Sequence, residues 1–318
     1  KIMIKKRRSF IIGIKGTSLK KNEIFFLKKY RPWGVILFSR NIKSINQTKN
    51  LTKHIKKIFN DKNYPILIDQ EGGRVSRINK FIDTSLFTAE YFGNLYNKNK
   101  RKFNIYLEVY IKQVSYLLKL LGININTVPV LDVRRNLTNK IIYDRSYSKN
   151  PKIVSNIGKL SIKYFHKYGI GTVIKHIPGH GLSKKDSHIN LPIVKEDIST
   201  LNKNDFYPFK KQKSILAMTA HIIYKSIDDK NTATHSKKVI KLIRKKIGFK
   251  KIIISDDISM KALKYSIKEN TIRAFSAGCN IVLHCNGNYK EMINVGKNSP
   301  LISDFILKKT SNLINIVR

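Results

Sequence analysis

The feature that most restricts this chain is a rhythm. Short β-branched runs recur at 9–14, 34–38, 65–69, 123–133, 171–176, 215–221, 251–256 and 280–284. Each is apolar throughout instead of alternating, as a strand covered on both faces must be. Between them lie stretches with helical spacing at 22–29, 103–121, 151–168, 237–247 and 260–277. Gly169 and Gly278 follow two of these, where a left-handed cap is wanted. Eight strands alternating with helices predict an α/β chain, specifically a closed parallel (β/α)8 barrel. A six-stranded open sheet satisfies the same periodicity.

The chain has 318 residues, of which 42% are hydrophobic. That suits one barrel of the usual size, about 250 residues with additions. No Pro/Gly/Ser linker or low-complexity tract interrupts it, so residues 1–318 are expected to form a single domain. The longest gap between runs, 70–122, has room for an extra helix in the third crossover. No run of about 18 apolar residues exists, so no membrane insertion is expected. The basic start, Lys1 to Arg8, leads into an apolar stretch too short for a secretory signal.

Charge is the second constraint. With 63 Lys and Arg against 20 Asp and Glu, the formal net charge is +43. Clustered cations would point to a polyanion. Here they are spread along the chain, beside abundant Ile and Asn, and no nucleic-acid motif accompanies them. The excess reads as compositional drift, and no specific nucleic-acid partner is expected. A basic binding module on an inactive barrel is the alternative, and salt-sensitive polymer binding without catalysis would favour it. Cys279 and Cys285 flank a strand run and would lie roughly 20 Å apart at about 3.3 Å per residue. No disulfide can join them, and free thiols fit a cytoplasmic setting.

Catalytic groups of such barrels gather at the carboxyl ends of the strands. Asp69, Asp132, Lys175, His176, His221 and the pair Asp256-Asp257 all close strand runs. One acid at a strand end can simply cap the next helix. Three of them, in a chain poor in acids, are better explained by a shared mouth. Two loops stand out. Asp69-Gln70-Glu71-Gly72-Gly73-Arg74-Val75-Ser76-Arg77 has a Gly pair but not the ending of a phosphate loop. Arg74 there reads as a surface or salt-bridge residue. Lys175-His176-Ile177-Pro178-Gly179-His180-Gly181, followed by Asp186-Ser187-His188, concentrates a cation, three imidazoles and a carboxylate. These groups could ligate zinc, but their spacing matches no standard zinc pattern, and neither metal nor cofactor is expected.

Taken in order with Gly34-Val35-Ile36-Leu37-Phe38-Ser39-Arg40-Asn41, Pro129-Val130-Leu131-Asp132-Val133, Asp144-Arg145-Ser146-Tyr147 and Ala277-Gly278-Cys279, these segments resemble family 3 glycoside hydrolases. The match is to the short β-N-acetylglucosaminidases that recycle bacterial cell wall. It departs from the family at Asn280, where an acid is common, and at Thr232-Ala233-Thr234. The resemblance implies a retaining, exo-acting enzyme. Asp256 matches the nucleophile, Asp257 a structural neighbour, and Asp186 with His188 a general acid/base dyad. Asp69, Arg77, Arg145, Lys175 and His176 match residues that hold the sugar. The implied substrate is a peptidoglycan-derived sugar or muropeptide, and a monomer is expected. Substrate-assisted cleavage, with the acetamide as nucleophile, is a second enzymatic reading.

Overall fold

The computed structural model describes residues 4, 6–135, 140–182 and 191–317. Among the described residues ten strands run in chain order: β1 (Arg8–Gly13), β2 (Pro32–Leu37), β3 (Ile66–Ile68), β4 (Ile125–Asn126), β5 (Gly171–Ile177), β6 (Ile193–Val194), β7 (Leu216–Thr219), β8 (Ile223–Tyr224), β9 (Ile252–Asp257) and β10 (Ile281–His284). Eight of them close a barrel in the order β1-β10-β9-β7-β5-β4-β3-β2, with every pairing parallel. The other two, β6 and β8, form a small parallel pair outside it. Closure decides against the open sheet. The fold is a (β/α)8 barrel.

The continuous apolar runs have a direct cause. Along β1, Ile11 belongs to the cluster inside the barrel, while Phe10 and Ile12 pack outward under the helices. The same split separates Leu67 from Ile66 and Ile68, and Leu216 from Ala217. Both faces of each strand are therefore dry, and neither tolerates a polar alternation. At the amino-terminal end of the barrel the helix Asp304–Val317 joins the inner cluster through Ile306 and Leu313. Trp33, fully buried, donates its indole N–H to Thr310 Oγ1 at 2.9 Å and ties that helix to β2. One end is thus closed by packing, which leaves the other for chemistry.

Three expectations change in detail. The run 123–133 pairs as a strand only over β4, with one further bridge from Val130 to Lys175. Pro129 has no N–H to give a ladder, and the side chains of Asn124 and Asn126 take over pairing with β3 and its following loop. The helix expected over 260–277 begins only at Ile267. Ser266 caps it, its hydroxyl accepting the Glu269 N–H, and this Ser-x-x-Glu start overrides the apolar spacing before it. The helix over 237–247 is α to Leu242 and continues as one π turn, Ile243–Ile247, which ends at Gly248 with φ of 79°. The extra helix in the third crossover is Ala89–Lys98. Its Gly93 lies against the chain at Tyr147, where a Cβ would meet the Tyr147 carbonyl oxygen at 1.6 Å. Only glycine lets this helix lie against the segment that carries Arg145.

Burial also sets the response to acid. His166, His180 and His235 are each pushed down to about 4, chiefly by desolvation of the charged ring. An unfolded chain protonates them near 6.5. The unfolded state therefore binds more protons between these values, and stability present above pH 6.5 is lost as pH falls toward 4. The ceiling is about 3 kcal/mol per ring at 1.36 kcal/mol per pH unit. Asp205, pushed up to about 6 by burial, works in the opposite sense over the same range and offsets part of the loss. The expected net result is a melting temperature several degrees lower at pH 5 than at pH 7.5, read by calorimetry. A flat profile would show that these rings are hydrated in the folded state.

Candidate active site

The carboxyl ends of the strands surround a cavity of about 180 Å³. Its wall includes Asp69, Arg77, Arg145, Lys175, His176 and Asp256, so all six of these expected site residues converge on one mouth. Phe38, Met218, Met260 and Cys285 complete its apolar side. Asp186 and His188 fall outside the described residues.

Asp69 follows β3, and Lys175 lies on β5. The Lys175 ammonium sits between two carboxylates, bonding Asp69 Oδ1 and reaching Glu71 Oε1 at 2.6 Å. Arg77 donates to Asp69 Oδ2 at 3.0 Å, and the Thr127 hydroxyl donates to Oδ1 at 2.7 Å. Burial opposes ionisation of Asp69, but Lys175 and Arg77 outweigh it and hold the carboxyl far below the usual range. It is an acceptor at any working pH. Burial likewise opposes the charge on Lys175, and the two carboxylates reverse that, so its pKa is raised.

Sequence reasoning gave Glu71 no role. In the structure it is buried and grips Arg145 in a two-point pair, Nε to Oε2 at 2.7 Å and Nη2 to Oε1 at 2.8 Å. A planar fork held this way has little freedom to turn. Glu71 lies behind the wall formed by Arg145 and Lys175 and orients both. The signal was its place two residues after Asp69 in an acid-poor chain. Arg74 has the structural salt bridge expected of it, to Asp144 at 2.8 Å.

Asp132 is displaced from its expected position. It is fully buried and lies beneath His176 instead of in the cavity wall. Its carboxylate accepts from His176 Nδ1 at 2.7 Å. His221 is also withdrawn: its ring pairs with Thr234 Oγ1 and with the backbone oxygen of Asp257, at 2.7 and 2.9 Å. Burial pushes its pKa down, against the pull of Asp256.

The two neighbouring aspartates of β9 are differently engaged. Asp257 accepts from the Ser259 N–H and hydroxyl, and from the Cys285 N–H at 3.2 Å. It joins the turn after β9 to the end of β10. Asp256 accepts the Asp257 N–H at 2.8 Å and lines the cavity. Such a mouth, with the Asp256-Asp257 pair beside a ring of charged donors and acceptors, can bind a polyhydroxylated ring and present a carboxylate nucleophile to it.

A family model described as "Glycosyl hydrolase family 3 N terminal domain" matches residues 11–313. The chain belongs to glycosyl hydrolase family 3. It is an enzyme of the glycoside hydrolase class. Among its relatives is "Beta-hexosaminidase A" of Pseudoalteromonas piscicida, 32% identical over 279 residues, which cover 81% of this chain and 46% of that protein. "Beta-hexosaminidase" of Nitrosomonas eutropha is 32% identical over 287 residues, covering 87% of this chain and 80% of that one. The chain thus spans about half of one relative and four fifths of the other. The crystal structure of native NagZ from Neisseria gonorrhoeae superposes with a TM-score of 0.87 at 28% identity, covering 98% of this chain and 90% of that chain. No described helix is long and apolar enough to cross a membrane.

Proposed function

We propose that this family 3 hydrolase is an exo-acting β-N-acetylglucosaminidase that retains configuration and releases terminal β-linked N-acetylglucosamine from peptidoglycan-derived fragments. The observation that carries the reading is the placement of Asp256 in one small cavity with Asp69, Arg77, Arg145, Lys175 and His176. The names of the beta-hexosaminidase relatives favour an acetamido sugar. A cavity of about 180 Å³ favours one ring over an oligosaccharide, hence cleavage from a chain end.

The chemistry follows from what each group can give. Asp69, ionised, accepts from ring hydroxyls, while Lys175, Arg145 and Arg77 donate to them. Charged hydrogen bonds of this kind fix the ring and leave its anomeric carbon before Asp256. Asp256 attacks, the leaving oxygen takes a proton from His188, and a covalent glycosyl-enzyme forms. His188, now neutral, takes a proton from water, and the water displaces Asp256. Asp186 orients the imidazole and supports its positive form. No cofactor enters. We assign the enzyme to the cytoplasm, where its free thiols stay reduced, read it as a monomer, and read residues 1–318 as one barrel domain.

The test is turnover of 4-nitrophenyl N-acetyl-β-glucosaminide against the plain β-glucoside, together with a disaccharide in which N-acetylglucosamine is linked to muramic acid. We expect cleavage of the first and third and at least tenfold lower kcat/KM for the second. Equal or better hydrolysis of the glucoside would remove the acetamido preference.

A further inference from the structure

We propose that Asp132 is a positioning residue that sets the tautomer of His176, so that the ring offers Nε2 to the cavity as an acceptor for one sugar hydroxyl. The sugar half of this inference rests on the function proposed above. The tautomer half rests on geometry alone.

Three donors converge on the Asp132 carboxylate. Oδ1 accepts the backbone N–H of His176 at 3.2 Å and that of His180 at 2.7 Å. Oδ2 lies 2.7 Å from His176 Nδ1. The group is fully buried, which opposes ionisation. His176, His180 and the backbone donor outweigh that penalty and hold it below the usual carboxylate range. An ionised carboxylate can only accept. The short contact to Nδ1 therefore requires the proton on Nδ1, and in the neutral ring Nε2 is left with a lone pair. Asp132 is not part of the cavity wall and His176 is, so the edge carrying Nε2, across the ring from the carboxylate, is on the cavity side.

The consequence is a division of labour in one small site. Lys175, Arg145 and Arg77 can only donate to hydroxyls. His176 in this tautomer can only accept. A hydroxyl that bridges His176 and one of the cations is read in both senses, and a group that only accepts is rejected. The same carboxylate, through the His180 N–H, anchors the start of the loop that follows β5.

The substitution Asp132→Asn inverts the pattern with almost no change of shape. Two backbone N–H groups hold the amide oxygen where Oδ1 was, so the amide N–H2 must face Nδ1. It can only donate there, and the ring proton moves to Nε2, the wrong-tautomer effect of an Asp→Asn change in a catalytic triad. Two measurements test this. Ring ¹⁵N shifts of His176 at pH 8, assigned by loss of the signal in His176→Gln, are expected to report Nδ1–H in the wild type and Nε2–H in Asp132→Asn. Aryl N-acetylglucosaminides with one ring hydroxyl replaced by hydrogen or by fluorine are expected to give one position where, for the wild type, fluorine costs as much as hydrogen, because neither can donate. There the penalty of fluorine relative to the parent should fall at least tenfold in Asp132→Asn, whose Nε2–H now donates.

Nε2–H in the wild type would overturn the inference, and so would a fluorine penalty unchanged in a folded Asp132→Asn. If that variant does not fold, the wild-type shifts and the wild-type comparison of hydrogen with fluorine still decide. The expected shifts in an enzyme that cleaves no hexosaminide would uphold the tautomer and sink the function proposed above instead.

Discussion

Replacing Asp256 by alanine lowers turnover of an aryl N-acetylglucosaminide by about 10⁴-fold or more, the scale on which removal of a covalent nucleophile acts. Asp257→Asn costs far less where the fold survives. The difference lies in what each carboxylate already does. Asp257 is committed to Ser259 and to the Cys285 N–H, contacts an amide oxygen can partly keep. Both residues border the cavity, but Asp256 is the one assigned the bond to the sugar, and an alanine there offers the anomeric carbon nothing to bond. A 2-deoxy-2-fluoro glycosyl donor should label Asp256, as peptide mass analysis can show. Labelling at Asp257, or full turnover by Asp256→Ala, would refute the assignment. Trapping also separates the covalent route from substrate assistance, which forms no glycosyl-enzyme.

The second large effect belongs to His188. Protonation matters most when the leaving group is poor. His188→Ala should therefore slow cleavage of the natural-type disaccharide by on the order of 10²–10⁴-fold, the usual contribution of a general acid–base group. The first turnover of an aryl glycoside with a good leaving group should be much less affected. The second step then lacks its base, so the glycosyl-enzyme accumulates and azide restores turnover by attacking without one. Asp186→Ala should give the same pattern more mildly, since it acts through the ring. Burst kinetics with and without azide is the measurement. Unchanged single-turnover and steady-state rates on the disaccharide in His188→Ala would eliminate the dyad.

The site was unevenly legible in the sequence. Lys175, His176, Asp69 and Asp256 stood at the ends of apolar runs, where a parallel barrel exposes its loops, and the structure brings all four to one cavity. Arg77 and Arg145 lie in loops with no periodicity of their own, and were named through the resemblance alone. Glu71 was in plain view and had no role, because its function is a contact with Arg145, 74 positions away. Asp132 looked like another group at the mouth. A strand-end position says which end of the barrel a residue occupies, but not how deep its side chain lies.

The sequence by itself determined an α/β chain of parallel strands buried on both faces, and the strand ends that carry chemistry. Strand length, two-sided burial and the sites of polar interruption are local properties, written in consecutive residues. Only the tertiary structure decided whether the sheet closes, since closure depends on β1 meeting β10 across almost the whole chain. It also decided the partners of each charge. Lys175 finds Asp69 from 106 positions away, and His176 finds Asp132 from 44. Such pairings depend on how the strands are staggered around the ring, and no single strand records that stagger.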